Sequence, residues 1–316
     1  MAEHALADRV NEIVDLVVAR GDATVALRDP ELAPLARIAA ELRHYANPDF
    51  KARLRAALQR RTQMASTTTT EAVREGFTTV TPYIRVGSEG LVAFLASAFG
   101  AVETFAGRGG GGGMHREVRI GNSMVMIGEG GDAGGMMPIG TMAFHVFVDD
   151  VDAAFARAVA AGGNAIGAPE DRHYGERSGF VTDPFGNHWY IASPLGPNSL
   201  STALRTVTPA LFADSAAGYI TFLERALGAV EEMRAGDSDH VRYARLRIGD
   251  AAIELGDGAP MPGAFMLYVT DPDERYERAV AAGATSIMTP SDQPYGRVAG
   301  VRDPVGNQWF FSRPAR

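Results

Sequence analysis

The sequence predicts an α+β protein of two tandem domains, each built from paired β-α-β-β-β modules, behind a small helical N-terminal segment. Three observations carry that prediction. The chain contains an internal repeat, each copy alternates strand and helix patterns in the same order, and its composition is that of an ordinary globular core. Thr79-Val80-Thr81-Pro82 recurs as Thr206-Val207-Thr208-Pro209, and Arg157 to Gly162 recurs as Arg278 to Gly283. Asp183-Pro184-Phe185-Gly186-Asn187-His188-Trp189 recurs as Asp303-Pro304-Val305-Gly306-Asn307-Gln308-Trp309. The period of about 120 residues is a domain duplication, far above the 20 to 50 of a solenoid. The offset falls from 127 in the first motif to 120 in the last, so the second copy lacks about seven residues, in a loop near Gly130 to Gly140.

Composition narrows the function classes. With 316 residues, 46% hydrophobic and 22% charged, the chain can bury a core without staples. It has no cysteine, which excludes disulfides, thiolate metal sites, iron–sulfur clusters and cysteine nucleophiles. A net charge of −8 argues against nucleic acid as a partner. No apolar run reaches the roughly 18 residues of a membrane helix. The start, MAEHALADRVNEIVDL, carries acids and lacks the apolar core of a signal peptide. The expectation is a soluble, cytoplasmic protein.

Residues 1–65 read as helical. Ile13, Leu16 and Val17 recur at helical spacing, and Leu32, Leu35, Ile38, Ala39 and Leu42 repeat the pattern. Asn47-Pro48-Asp49 stops one helix and starts another, in which Phe50, Leu54, Ala57 and Leu58 lie opposite Lys51, Arg53, Arg55, Arg60 and Arg61. That basic face reads as solvated, or as a docking element for a protein partner. Residues 66–75 form a polar linker, 76–195 the first domain and 203–313 the second. In the first copy, Val80 to Val86 reads as a strand and Leu91 to Phe99 as a helix stopped by Gly100. Val102 to Phe105 is a short strand, and Met114 to Ile120 with Met124 to Ile127 form a hairpin through Gly121-Asn122. Strand Ala143 to Val148, helix Val151 to Ala161, and strands Phe180 to Thr182 and His188 to Ala192 complete the copy. Asp183 to Asn187 is turn chemistry, and Gly109 to Gly113 lacks the order of a phosphate loop and reads as a hairpin loop.

The motifs V-D-D-V-D-A-A-F-A-R-A-V-A-A-G at 148–162, D-R-H-Y-G-E-R at 171–177 and D-P-F-G-N-H-W at 183–189 carry a resemblance. Both copies resemble the vicinal-oxygen-chelate superfamily, which includes glyoxalase I, bleomycin-resistance proteins and extradiol dioxygenases, and look most like its PhnB-like branch. The resemblance implies a cupped mixed sheet per copy with helices outside, and two copies packed as an intramolecular pseudo-dimer. It also implies, in metal-dependent members, two histidines and two glutamates around one divalent metal. Those positions fall on Thr81, Met126, Ala143 and Tyr190 in the first copy, and on Thr208, Glu254, Ala264 and Phe310 in the second. Only Glu254 can ligate, and alone it reads as an ordinary polar residue. No metal or other cofactor is therefore expected. His145 and His188 are placed about four residues apart along adjacent strands, roughly 13 Å and too far to share a metal. His115 with His145 stays open as an alternative pair.

The family register, with strand alternation, places one set of side chains on the cavity face of the first copy. It comprises Thr81, Tyr83, Arg85, His115, Glu117, Arg119, Met124, Met126, Ala143, His145, Phe147, His188 and Tyr190. The opposite face, including Val80, Ile84, Val118, Val125, Val146, Trp189 and Ile191, is uniformly apolar. The second copy presents Ala210, Phe212, Tyr243, Arg245, Arg247, Ala252, Glu254, Met266, Tyr268, Gln308 and Phe310, with no histidine. The resemblance implies that the loop holding Tyr174 and Arg177 closes one side of the cavity, where they can stack on a planar ligand and meet an anion. The first reading is metal-independent binding of a small planar or anionic molecule in the first domain, for sequestration or resistance. Met124, Met126, Phe147 and Tyr190 supply apolar contact, and Arg85, His115 and Arg119 fix polar groups. A second reading is a lyase, isomerase or related enzyme with His115 and Glu117 as acid and base, or with a non-standard metal. A third is a ligand-sensing module whose residues 1–65 dock a partner. An alternating charged strand is also what the solvent side of a sheet looks like.

Overall fold

The computed structural model describes residues 73–109, 112–131, 140–196 and 204–315. The expected helices in 1–65, most of the linker, the centre of the glycine loop and most of the extra loop before 140 lie outside these residues.

Four β-α-β-β-β modules follow one another. The first is β1 (Val80–Val86), α1 (Leu91–Phe99), β2 (Val102–Arg108), β3 (Met114–Ile120) and β4 (Ser123–Glu129). The second is β5 (Ala143–Phe147), α2 (Val151–Ala160), β6 (Asn164–Arg172), β7 (Glu176–Thr182) and β8 (His188–Pro194). The third is β9 (Val207–Ala213), α3 (Ala216–Leu227), β10 (Val230–Gly236), β11 (Val241–Ile248) and β12 (Ala251–Asp257). The fourth is β13 (Ala264–Tyr268), α4 (Pro272–Ala281), β14 (Thr285–Gln293), β15 (Gly296–Arg302) and β16 (Gln308–Pro314). Local chemistry sets the helix ends. Asp150, Ser215 and Asp271 accept from backbone N–H groups of the first turns of α2, α3 and α4. Gly100 ends α1 in the left-handed region at φ 69°.

The modules combine into two eight-stranded mixed sheets, and neither sheet belongs to one repeat. The first has the order β14-β15-β16-β13-β1-β4-β3-β2, and the second β10-β11-β12-β9-β5-β8-β7-β6. The first sheet thus joins modules one and four, and the second joins modules two and three. The seams are antiparallel: Tyr83 of β1 lies opposite Ala264 of β13, and His145 of β5 opposite Thr208 of β9. This corrects the expectation of one cup per copy. The helices, by contrast, pair within a repeat, α1 with α2 and α3 with α4. Ile84, Val118, Val125, Val146, Trp189, Ile191, Leu223 and Phe265 then merge into one core cluster behind both sheets.

Two repeated devices fix this arrangement. Asn122 accepts from the Thr206 N–H at 2.8 Å, and Asp250 accepts from the Thr79 N–H at 2.7 Å, so each repeat's β3–β4-type turn latches the other repeat's entry strand. In the D-P-x-G-N-x-W turns, Asp183 accepts from the N–H groups of Phe185 and Asn187, the Asn187 amide and the Trp189 indole. Asp303 does the same with Val305, Asn307 and Trp309, and also accepts from the Tyr219 hydroxyl at 2.5 Å. Both tryptophans are fully buried. The turns are structural, as read from the sequence. No helix among the described residues is long and apolar enough to cross a membrane.

Candidate functional site

Strand alternation gives each sheet an apolar back and a polar concave face, and the crossed topology redistributes the residues expected in one cavity. Tyr83, Arg85, His115, Glu117, Arg119, Met124 and Met126 line the first cup, with Ala264, Met266, Tyr268, Gln308 and Phe310 from the other repeat. His145, Phe147, His188 and Tyr190 line the second cup, with Thr208, Ala210, Phe212, Tyr243 and Glu254. His115 and His145 therefore sit in different sheets and cannot share a metal. His188 lies opposite Ala143 and His145 opposite Tyr190, so the two histidines are two residues apart along the sheet, not four. The four-residue figure paired Ala143 with Tyr190, whereas the parallel register is shifted by two.

Tyr174 and Arg177 belong to neither cup's polar centre. Residues 171–177 are largely hairpin, with Asp171 opposite Arg177 across β6 and β7. Arg177 grips Asp152 with two hydrogen bonds of 2.6 and 2.7 Å and Asp171 at 2.8 Å, tying the hairpin to the start of α2. Arg297 repeats this on Asp273 and Asp292. Tyr174 stands at the turn, 46% exposed. Arg119 is also exposed, reaching the Gly121 carbonyl at 3.5 Å.

In the first cup, Tyr83, Met126 and Glu117 share one row across β1, β4 and β3, and Arg85, Gly128 and His115 the next. Burial pushes the Tyr83 hydroxyl up to about 12, so it stays protonated. It is hydrogen-bonded to His115 Nδ1 at 2.9 Å, and His115 Nε2 donates to Glu117 at 3.3 Å. The two rings stack at 5.5 Å. Arg74 closes this chain with two bonds to Glu117, of 2.6 and 3.0 Å. Burial works to raise the Glu117 carboxyl, but the hydrogen bonds from His115 and Arg74 and their charges outweigh it and hold it down at about 2. Arg74 also lies over the Phe77 ring at 4.4 Å, and Phe77 packs with Met124, Met126 and Tyr268. Val73 and Arg74, assigned from sequence to the linker, are thus part of the cup. Beyond it lies a recess lined by Tyr83, Arg85, Met142, Pro262, Ala264 and Gln308.

In the second cup, His145 Nδ1 makes a short hydrogen bond to Glu254 Oε2, and the Tyr243 hydroxyl donates to Glu254 Oε1 at 2.9 Å. Burial pulls the His145 imidazole down, but the charge and hydrogen bond of Glu254, aided by Glu176, raise it overall. Burial lowers His188. An aromatic row surrounds the dyad: His145 stacks on Phe147 at 5.6 Å, and Tyr190 on Phe180 at 4.5 Å. Glu254 is therefore the centre of a network rather than an isolated polar residue. Sequence reading missed this because its partner His145 lies 109 residues earlier, in the other repeat.

The residues do not fit the metal that the fold implies. Of the eight ligand positions only Glu254 offers a carboxylate or imidazole, and both its oxygens are engaged. No three His, Asp or Glu side chains gather as a cation site among the described residues.

Comparison with known proteins matches the model of the Glyoxalase/Bleomycin resistance protein/Dioxygenase superfamily twice, over residues 86–191 and 205–311. The chain belongs to this superfamily. Among its relatives in the superfamily is a Mycobacterium bovis protein named "Putative glyoxylase CFP32", 31% identical over 193 residues, covering 57% of this chain and 72% of the relative. The Mycobacterium tuberculosis protein Rv0887c is 36% identical over 127 residues, covering 35% of this chain and 75% of the relative. Glyoxalase I from Zea mays shares the fold at 18% identity and a TM-score of 0.56, over 74% of this chain and 92% of the maize chain.

Proposed function

We propose that this superfamily member binds a small planar or anionic organic molecule in the first cup without a metal, for sequestration or resistance. The donor set carries the reading. Seven of the eight metal positions hold a methyl or methylene surface, a thioether, a hydroxyl or an aromatic ring, and Glu254 is already bound to His145 and Tyr243. Met126, Phe310 and the stacked Tyr83 and His115 rings provide apolar and planar contact. The test is fluorescence titration with the neutral planar dye N-phenyl-1-naphthylamine, before and after exhaustive chelation. Saturable binding unchanged by chelation is the expected result. Binding lost on chelation and restored by one equivalent of zinc, nickel or manganese overturns the reading.

A second reading, an enzyme centred on the second cup, is favoured by one observation. His145 is oriented through Nδ1 by Glu254, and its Nε2 has no protein partner among the described residues, the arrangement of a general base. Both nitrogens of His115 are already hydrogen-bonded. The name of the mycobacterial relative, a glyoxylase, points the same way. Turnover of a substrate that is lost in His145→Gln and kept in His115→Gln supports this reading, and turnover kept in His145→Gln removes it.

A further inference from the structure

We infer that the recess between β1 and β16 takes the carboxylate of a small organic acid that carries a hydrogen-bond donor beside it, as a 2-hydroxy acid does. This rests on the first cup being a ligand cup and names the chemistry of its ligand.

Three polar atoms in this recess are buried and unsatisfied. Arg85 is 7% exposed, and Gln308 is 1% exposed. Arg85 Nε and both amide atoms of Gln308, Oε1 and Nε2, have no hydrogen-bond partner among the described residues. The Arg85 guanidinium makes one hydrogen bond, from Nη2 to the Gly131 carbonyl at 3.1 Å, and meets no carboxylate among the described residues. Both side chains line the same cavity of about 20 Å³, together with Tyr83 and Ala264. Buried polar groups are normally paired, and a buried cation needs a counter-charge.

The place is built for the arginine. Gly128 faces it across β1 and β4, and a Cβ there would lie 2.6 Å from Arg85 Cδ. The neighbouring carboxylates are already matched: Glu117 by Arg74, and Glu129, on the back of the sheet, by Arg116. Among the described residues no carboxylate is left to match the buried charge of Arg85. The equivalent positions of the second cup hold Phe212 for Arg85, Ala210 for Tyr83 and His188 for Gln308, so the recess belongs to the first cup alone.

The three unsatisfied atoms define the ligand. Arg85 Nε–H and the Gln308 amide N–H donate, which suits the two oxygens of a carboxylate. The Gln308 carbonyl accepts, which suits a hydroxyl next to that carboxylate. Whichever way the amide is turned, it offers one donor side and one acceptor side. A single water fits about 20 Å³ and satisfies these groups, but leaves the charge of Arg85 unmatched. The recess is open on one side, so a planar head group can sit against Arg85 and Gln308 with the rest of the acid in the cup.

The experiment titrates the full chain, with chelator in excess, with glycolate, acetate and neutral glycolamide, by calorimetry and thermal unfolding. Glycolate saturates one site, acetate binds several-fold weaker for want of the hydroxyl, and glycolamide about tenfold weaker or less for want of the charge. Arg85→Met and Gln308→Leu each abolish glycolate saturation. Arg85→Met also raises the unfolding midpoint of the ligand-free protein, because it removes an unmatched buried charge; a purely structural arginine lowers it. If Arg85→Met does not fold, Gln308→Leu carries the test. Saturable N-phenyl-1-naphthylamine with no glycolate binding means that water alone fills the recess, and overturns this inference while the cup reading stands. Binding of neither probe overturns both. Glycolate binding unchanged in both variants places the acid elsewhere and overturns the inference.

Discussion

Glu117 sits where three residues from separate parts of the chain meet, and its protonation has a measurable consequence. Arg74 and His115 hold its carboxyl at about 2, below the ordinary 4.5 of a glutamate. A carboxyl depressed on folding stabilises the folded state above its unfolded pKa, and that contribution is lost as pH falls through the folded value. Glu117→Gln keeps the shape and removes the charge, leaving Arg74 without its carboxylate. The substitution costs about 1–2 kcal/mol at pH 7, discounted because Arg74 is partly exposed. The gap from the native protein narrows below pH 4.5 and closes near pH 2. Denaturant unfolding of both proteins across that range checks it, and a gap that stays constant shows that the Arg74 pair contributes nothing to folding.

At the scale of elements, the two D-P-x-G-N-x-W turns offer an internal control. Tyr219 on α3 donates to Asp303, but the equivalent position on α1 is Leu91, so Asp183 holds its turn without a tyrosine. Tyr219→Phe removes one buried hydrogen bond to a carboxylate and is expected to cost about 1.5–3 kcal/mol, read by denaturant unfolding. Asp183→Ala and Asp303→Ala are each expected to cost more, because every N–H donor of the turn loses its acceptor. Equal costs for Tyr219→Phe and Asp303→Ala would show that the tyrosine alone holds the second turn.

The same elements show what the sequence could and could not disclose. Strand faces were legible wherever one side is core: Val118 and Ile120 against Glu117 and Arg119 on β3 follow the pleat. β6 was not, because Asn164 to Arg172 forms a sheet edge that is mostly exposed and carries no apolar alternation. The role of Arg74 was hidden because its contact with Glu117 spans 43 residues and no local pattern marks it. Of the cup residues, Tyr83, Arg85, His115 and Glu117 were identified by alternation, while the partners that complete them, Gln308 and Phe310, were assigned to a separate cavity. Alternation tells which way a side chain points within a strand. It does not tell which strand lies alongside.

That missing information, the pairing of strands across repeats, governs the behaviour of the whole molecule. Neither repeat contains both sides of either seam, since β1 pairs with β13 and β5 with β9. A fragment of residues 73–196 therefore exposes two strand edges, β1 and β5, together with the core surface that the other repeat covers. Because β9 is the repeat equivalent of β1 and β13 that of β5, two copies of the fragment can restore both seams around a twofold axis, β1 of each against β5 of the other. The fragment is expected to be a dimer whose unfolding midpoint rises with concentration, as association and folding become one equilibrium. Light scattering and unfolding at several protein concentrations check this. The full chain carries both partners in one molecule and shares one core cluster between the sheets, so residues 73–315 unfold in a single calorimetric transition rather than one per repeat. A folded monomeric fragment with a concentration-independent midpoint would show that the seams are dispensable. Each cup would then form within one repeat, and the meeting of His145 with Glu254, or of Tyr83 with Gln308, would not be what shapes the sites.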